Sequence, residues 1–396
     1  MAGADWLRAL SAGAEGQVAA RFCQFDKFQH LKPGNVRLRD KAVIGSNSPS
    51  SVILFPTTME AAITVGFTEG LSFDPRRPNW DGDGPRPLHW FAWYPAVDTL
   101  PGKVSSERTW FQAGPIARDA CLRPSHNAYP LVLLSHGTGG IAAGLEWLAH
   151  PLASSGFVVL AMNHHGNTGS EPQRAEGFLC LWERAADLTA LLDDQGWRTR
   201  LKGDFKKQAA IAGFSAGAYT AMLLMGARVA YTQFEAGNPE KSPIRGPIEF
   251  PNLADEIPTL LNRSEVFRDS WERRSDHYAD DRMKSALVLA PGRSIRGFSK
   301  KSLHHIKSPI QIITGESDLI APVEHCASWL HNELPISNLQ ILEAGVGHYT
   351  FLPEPSPLGL KEAPDVFVDG AGVNRRAIHE AVSSTAVDFF TKTLSH

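Results

Sequence analysis

The sequence is short of the features that mark membrane-spanning and nucleic-acid-binding proteins. The 39 basic and 42 acidic residues are nearly equal in number, and no long run carries charges of one sign. The longest apolar stretches, such as 156–162 and 285–290, are far shorter than the ~20 residues of a membrane helix. With 43% hydrophobic residues, the 396-residue chain can nevertheless bury a large core. We therefore expect no membrane span and no nucleic-acid partner, and a small substrate of little charge fits best.

Cysteine is also scarce, which bears on metal binding and on the cellular compartment. Cys23, Cys121, Cys180 and Cys326 are far apart and form no C-x-x-C pair, so we expect free thiols rather than a zinc site or a redox pair. Charged residues within the first eight positions interrupt any apolar signal core. These features favour the cytoplasm, with the periplasm or secretion as the alternative if a signal peptide has been removed.

The pattern along the chain divides it into an extension and one large domain. Residues 1–56 hold a predicted helix near 5–22 and a polar, turn-rich passage, which could cover a pocket mouth or contact a partner chain, as in a homodimer. Residues 57–396 begin with a predicted hairpin and continue with short apolar runs that alternate with helical segments. Residues 229–283 interrupt this alternation and are interpreted as a cap. The prediction is an α/β fold with a doubly wound, mostly parallel sheet and a helical cap insertion.

The stretch "IAGFSAGAYT" (211–220) contains a candidate nucleophile, Ser215. A bare G-x-S-x-G is weak evidence, but here it follows a predicted strand and opens a predicted helix, the setting in which a sharp turn exposes a serine oxygen. A β-carbon at Gly213 or Gly217 would crowd such a turn. The alternative is a serine that simply caps the helix.

A serine nucleophile needs a base and a group that orients the base. His348 follows a predicted strand on the glycine-rich loop "EAGVGHYTFL", although it could be a histidine without a catalytic role. Asp318 ends the strand–turn passage "ITGESDLIAP" and is the candidate acid, with Glu316 as its rival in the same loop. The order serine, acid, histidine is that of α/β-hydrolases.

An oxyanion hole requires backbone N–H donors near the nucleophile. The N–H of Ala216, at the start of the helix, is one candidate. The strand–loop passage "LVLLSHGTGG" (131–140) offers the N–H of Thr138, with that of Gly137 second, and His136 is interpreted as a structural residue.

Two competing interpretations are weaker. "GTGGIA" (137–142) matches a dinucleotide-binding fingerprint, but the next strand ends in "VLAMNHHG" without the acidic residue that binds the ribose. His164-His165 and His304-His305 resemble metal ligands only superficially, because adjacent side chains point apart and no carboxylate pair accompanies them. We therefore expect loop or surface histidines, no metal and no cofactor, with "NHHGNTGS" bordering the mouth of the site.

Six motifs in order resemble a known group of enzymes: "RPLHWFAWYPA", "LLSHGTGG", "MNHHGNTGS", "GFSAGAYTAM", "SLHHIKSPIQIITGESDLIAP" and "GVGHYTFL". Over roughly residues 60–395 the chain is similar to the bacterial α/β-hydrolases called predicted dienelactone hydrolases, relatives of platelet-activating-factor acetylhydrolases. The resemblance implies a serine esterase without metal or cofactor, with Ser215, Asp318 and His348 as its triad. True dienelactone hydrolases use a cysteine nucleophile, and many relatives carry histidine where this chain has Phe214.

The sequence thus predicts a serine hydrolase that cleaves small, largely apolar carboxylic esters through an acyl-enzyme. An amidase or peptidase would share the triad, and a non-catalytic binding protein would share the fold. Residues proposed to line the substrate pocket are Phe214, His165, Phe234 and Trp271, with Phe267 as a further apolar candidate.

Overall fold

The computed structural model of the protein describes residues 63–97, 110–235, 247 and 249–395. The extension predicted for residues 1–56, its helix, and Cys23 lie outside the described residues, as does part of the cap at 236–246 and 248. In the described part, no helix is long and apolar enough to cross a membrane. The cysteines there, Cys121, Cys180 and Cys326, are free thiols.

The strands of the described residues form one sheet. They are β1 (Val65–Pro78), β2 (Pro85–Pro95), β3 (Ala117–Arg118), β4 (Tyr129–Ser135), β5 (Val158–Asn163), β6 (Phe205–Phe214), β7 (Met283–Leu289), β8 (Ile310–Gly315) and β9 (Ser337–Leu342).

Helices cover both faces of this sheet and connect its strands. The α-helices are α1 (Glu146–Ser154), α2 (Ala175–Leu179), α3 (Glu183–Asp193), α4 (Gly196–Leu201), α5 (Ala216–Leu224), α6 (Leu253–Arg263), α7 (Glu265–Glu272), α8 (Lys300–His304), α9 (Ala327–Glu333), α10 (Pro357–Glu362), α11 (Pro364–Phe367) and α12 (Arg375–Leu394). Short 3₁₀ helices occur at Ala142–Leu145, Arg273–Ser275, Arg293–Gly297 and His348–Phe351.

The strand order places a crevice at the centre of the sheet. The order is β3-β1-β2-β5-β4-β6-β7-β8-β9, and only the pairs β1–β2 and β2–β5 are antiparallel. The chain leaves β4 for β5 on one side and leaves β6 for β7 on the other. In open α/β sheets, ligands bind at the carboxyl ends of the strands where the connections diverge in this way. The loops after β4 and β6 therefore flank the expected site.

Near-continuous apolar runs build the central strands because both faces of the sheet are covered. Along β4, Leu131 and Leu133 enter one core, whereas Val132 and Leu134 enter the core on the opposite face. The first core includes α3 and α5, and the second includes α1 and α12. The doubly wound, mostly parallel α/β prediction is thereby confirmed.

Element boundaries differ from the sequence pattern in two places. The helical segment expected between β5 and β6 begins as two separate helices, α2 and α3, with a break at 180–182 where the indole N–H of Trp182 donates to Ser270 Oγ at 3.0 Å. Strand β3, only two residues long, carries too little pattern to be predicted. The hairpin is confirmed, since β1 and β2 pair antiparallel over most of their length.

The segment predicted as a cap contains α6 and α7 between β6 and β7. Leu253, Phe267 and Trp271 turn inward from these helices into the core, and Ser264 caps α7 by accepting from the Phe267 amide at 3.1 Å. Just before α6, Glu249 Oε1 lies 2.6 Å from where a β-carbon on Gly139 would stand. The insertion therefore reaches the loop that follows β4.

A buried ionic cluster connects the hairpin to the rest of the molecule. Asp187 on α3 accepts from Arg86 Nε at 2.6 Å and lies 2.8 Å from Arg77 Nη2 and 3.3 Å from His164 Nδ1. Burial alone would raise the pKa of Asp187, but Arg86 and Arg77 outweigh burial and hold that pKa well below its ordinary value. The cluster thus favours the charged form of the Asp187 carboxylate in the folded state.

Candidate active site

Ser215 occupies a sharp turn between β6 and α5. Its backbone has φ 54° and ψ −112°, a conformation that costs a non-glycine residue about 1–3 kcal/mol. A β-carbon on Gly213 would lie 2.0 Å from the Gly217 carbonyl oxygen, and one on Gly217 would lie 1.9 Å from the Ser135 carbonyl oxygen. The predicted crowding of this turn is therefore confirmed, and only glycine fits on either side of the serine.

His348 and Asp318 meet Ser215 in one hydrogen-bonded chain. His348 Nε2 lies 3.0 Å from Ser215 Oγ, and His348 Nδ1 lies 2.7 Å from Asp318 Oδ2. A proton on Nδ1 donates to the carboxylate and leaves Nε2 as an acceptor for the serine hydroxyl. Ser215 makes no helix-capping hydrogen bond, so the alternative of a simple cap has no support in the structure.

The surroundings of the two carboxylates after β8 distinguish them. Asp318 is 2% exposed, and its second oxygen accepts from the amides of Ile320 at 3.0 Å and Ala321 at 2.7 Å. Glu316 is exposed at the surface of the same loop. Because Asp318 is held by two amides, its remaining oxygen has a fixed direction toward His348. The structure thus brings Asp318, and not Glu316, to the histidine.

The loop after β4 lies against Ser215. A β-carbon on Gly137 would stand 3.5 Å from Ser215 Cβ, and the Gly140 amide closes a tight turn by donating to the Gly137 carbonyl at 3.2 Å. Within the described part of the chain, the amides of Gly137, Thr138 and Ala216 have no acceptor. These amides remain the candidate donors for an oxyanion formed at Ser215.

Buried polar groups lie beneath this loop, and one of them corrects the sequence interpretation. His164 was expected to be a loop or surface histidine, but it is fully buried, with Nε2 3.0 Å from Ser135 Oγ and Nδ1 toward Asp187. Burial, reinforced by the charge of Arg184, lowers the pKa of His164 to about 3. The polar partners on both sides explain how a histidine after β5 is accommodated in the interior.

Arg184 is a second buried group that the sequence analysis missed. Its guanidinium donates to the His136 carbonyl and lies 3.3 Å from Ser135 Oγ. Its Nε and Nη1 have no hydrogen-bond partner among the described residues. Burial outweighs the attraction of Asp187 and lowers the pKa of Arg184 to about 9. His136 itself binds the Gly137 carbonyl through Nδ1 at 2.7 Å, in keeping with the structural role expected of it.

The residues proposed for the pocket are mostly packed within the protein. Phe214 lies 5.0 Å, ring to ring, from His348 and belongs to the core beneath it. Phe234, Phe267 and Trp271 are buried in the other core, across the sheet from Phe214, and Phe267 and Trp271 stack on each other. His165 binds Glu171 through Nδ1 at 2.8 Å and accepts from the Trp80 amide. In these positions the side chains pack against other residues of the protein. The structure gives no direct support for their contact with a substrate.

The other histidine pair lies on the surface. His304 binds Glu333 at 3.0 Å, and His305 binds the Lys301 carbonyl. Across the part of the chain that the structure describes, no group of three or more His, Cys, Asp or Glu side chains could hold a metal ion.

Other residues near the site were not recognised from the sequence. Asn163, Asn167 and Thr168 bind the loop after β4, and a β-carbon on Gly292 would lie 3.6 Å from Ser215 Oγ. The available signal was the run of polar residues in "NHHGNTGS" directly after β5, which was expected only to border the site.

Known proteins resemble this chain in family and in fold. A model of the alpha/beta hydrolase family matches residues 131–369, more than half of the chain. A solved structure, that of a ferulic acid esterase from Streptomyces cinnamoneus, is similar with a TM-score of 0.55 and 19% sequence identity, covering 85% of this chain and 92% of that one. At this identity the similarity concerns the fold. No curated protein matches the chain significantly.

Proposed function

Because the chain belongs to the alpha/beta hydrolase family, we propose that it is a serine hydrolase that cleaves carboxylic esters through an acyl-enzyme. The observation that carries the proposal is the chain of hydrogen bonds from Ser215 through His348 to Asp318, with distances of 3.0 and 2.7 Å. A nucleophile, a base within hydrogen-bond reach and a group that orients the base are the elements that acyl transfer requires.

In the proposed reaction, Ser215 Oγ attacks the ester carbonyl carbon while His348 Nε2 accepts the hydroxyl proton. The carbonyl oxygen becomes an oxyanion, which the amides of Ala216 and of Thr138 or Gly137 stabilise. When the carbon–oxygen bond to the alcohol breaks, His348 returns the proton to the departing oxygen. Water then attacks the acyl-serine with His348 as base, which releases the acid and restores the Ser215 hydroxyl.

Asp318 would act through His348 rather than on the substrate. Its carboxylate holds the Nδ1 proton and so fixes the imidazole tautomer and its orientation. It would also stabilise the imidazolium that forms during attack.

We propose small, largely apolar esters as the substrate class. Leu319, 71% exposed, directly follows Asp318 at the carboxyl edge of the sheet and presents apolar surface there. The cap segment reaches the loop after β4 and would contribute to selection. The resemblance to predicted dienelactone hydrolases and acetylhydrolase relatives, and the esterase title of the structural neighbour, support an ester rather than an amide. Residues 57–396 would form the catalytic domain, with 229–283 as its cap.

The test is the hydrolysis of p-nitrophenyl esters with short and long acyl chains by wild type and Ser215→Ala. We expect kcat/KM to fall at least about 10⁴-fold in the variant, because the hydroxyl that attacks the ester carbonyl is then missing. Ser125→Ala, on an exposed loop, is the matched control and should behave as wild type. Activity retained in Ser215→Ala would contradict the mechanism.

Two alternatives can be separated in the same preparation. Matched ester and anilide substrates distinguish an esterase from an amidase or peptidase. A fluorophosphonate probe that labels wild type and not Ser215→Ala would exclude a non-catalytic binding protein, because stoichiometric labelling requires an activated serine.

A further inference from the structure

Two loops at the carboxyl edge of the sheet are joined to each other by hydrogen bonds. The oxyanion loop, residues 136–142, follows β4, and the support loop, residues 163–170, follows β5. Strands β4 and β5 are parallel neighbours, so both loops leave the sheet at the same edge. Bonds between them include Gly139 N to Asn167 Oδ1, Ala142 N to Asn163 Oδ1, Thr168 Oγ1 to Gly140 O, Gly169 N to Gly140 O and His164 N to His136 Nε2.

Asn167 forms the central connection. It is 1% exposed, accepts from the Gly139 amide at 2.8 Å through Oδ1, and donates to the Gly177 carbonyl at 3.1 Å through Nδ2. A buried amide with both ends bonded has one favourable orientation, and breaking either bond leaves a buried group unsatisfied.

Thr168 holds the next peptide group of the same turn. Its hydroxyl donates to the Gly140 carbonyl at 2.8 Å, and the Gly169 amide donates to that same oxygen at 3.1 Å. The Gly139 amide and the Gly140 carbonyl are therefore both bound to the support loop. Thr138, which precedes them, keeps its own N–H for another acceptor.

The support loop is itself firmly attached on its far side. A β-carbon on Gly177 would lie 2.4 Å from the Gly166 carbonyl carbon, so α2 and the support loop are in backbone contact. The Arg174 amide donates to the Gly166 carbonyl at 2.9 Å, and the Glu171 carboxylate accepts from the Gly166 amide. A loop fixed in this way can impose a position on its neighbour.

From this arrangement we propose that Asn167 and Thr168 are positioning residues that hold the N–H of Thr138 toward the oxyanion formed at Ser215. The inference rests on the proposed function. Donors stabilise a transition state only when they are already in place, and a misplacement of about 1 Å can cost about 100-fold in rate. The two side chains would act on the rate of the chemical step and not on substrate binding.

The experiment compares Asn167→Leu and the nearly isosteric Thr168→Val with wild type. For each, kcat and KM on p-nitrophenyl butyrate are measured after titration of active serines with a fluorophosphonate. We expect kcat to fall about 10- to 100-fold while KM changes less than about 3-fold. A trifluoromethyl ketone, whose adduct with serine places an oxyanion in the same position, should bind more weakly by a similar factor.

Asn338→Leu is the matched control, because Asn338 lies exposed on the edge strand β9, where its amide binds Gln311. It should retain wild-type kcat and ketone affinity. If Asn167→Leu does not fold, Thr168→Val carries the test alone.

The outcomes separate this inference from the proposed function. Wild-type turnover together with unchanged kcat and ketone affinity in both variants would overturn the positioning role and leave the esterase intact. A rise in KM alone would also overturn it, because that result indicates substrate binding. Wild type that neither hydrolyses esters nor reacts with the fluorophosphonate would overturn the proposed function, and the positioning role with it.

Discussion

At the residue scale, hydrogen bonds determine which of two carboxylates in one loop contacts His348. Asp318 has one oxygen held by two backbone amides and the other directed at His348, whereas Glu316 faces solvent. Residue type and chain position do not separate them, since either could follow a strand at this edge. The backbone turn that holds Asp318 therefore determines which of the two carboxylates reaches His348.

We expect Asp318→Asn to reduce kcat about 10⁴-fold. The amide can bind Nδ1 in the wrong tautomer and cannot stabilise an imidazolium, so His348 would no longer accept the serine proton. Steady-state hydrolysis of a p-nitrophenyl ester measures the effect. Glu316→Gln, in the same loop, should change kcat less than about 3-fold, and a comparable loss in both variants would contradict the assignment of Asp318.

At the element scale, the junction of β6 and α5 sets the position of Ser215. A strand that passes directly into a helix brings Gly213 against Gly217 and brings Gly217 against the end of β4. Three elements therefore meet within backbone contact at this point. Ser215 retains its strained φ because these contacts hold the backbone of the turn in this conformation.

Gly217→Ala should destabilise the fold by about 3 kcal/mol or more, because its β-carbon would lie 1.9 Å from the Ser135 carbonyl oxygen and could not be accommodated without moving the backbone. Urea denaturation measures the free energy of unfolding, and ester hydrolysis should fall with it. Gly144→Ala is the control, since a β-carbon there meets nothing within 4 Å and the residue already lies in a 3₁₀ helix. Equal stability of the two variants would contradict this account.

The sequence predicted the strands and helices better than it predicted the environments of individual side chains. The alternation of apolar runs and helices predicted β4 to β9 along the chain, because most of these strands are apolar over nearly their whole length. It also indicated Ser215, Asp318 and His348, since each follows a strand at the same edge. Burial of His164 and the roles of Asn167 and Arg184 were not predictable, because those depend on partners such as Asp187 and Gly139 that lie far away in sequence.

At the scale of the whole molecule, the buried cluster around Asp187 joins the antiparallel hairpin to the parallel part of the sheet. Arg86 comes from β2, Arg77 from β1, and His164 from the loop beside the site. A charge buried among several partners is costly to remove singly, because the remaining charges lose their compensation.

We expect Asp187→Asn to lower the free energy of unfolding by about 3–5 kcal/mol at pH 7. The pKa of Asp187 lies below its unfolded value, so its contribution is fully present above that value and is lost as the pH falls through the folded pKa. The difference between wild type and variant should therefore narrow as the pH falls below about 4. Urea denaturation at several pH values tests this expectation.

Asp81→Asn is the control for the charge cluster. Asp81 pairs with Arg174 at 2.7 Å on the surface, where its side chain is 56% exposed, and such pairs contribute at most about 1 kcal/mol. A loss in Asp187→Asn no larger than that of the control would show that the cluster does not stabilise the fold.

The insertion between β6 and β7 bears on which positions of the chain can change without moving Ser215 and His348. Ser215 precedes the insertion and His348 follows it, yet β6 and β7 pair directly, from Ala209 with Met283 to Phe214 with Leu289. Strand register, and not the length of intervening chain, sets the distance from serine to histidine. Exposed positions between β6 and β7 can therefore vary without moving Ser215 relative to His348, whereas Leu253, Phe267 and Trp271 are constrained by their burial in the core.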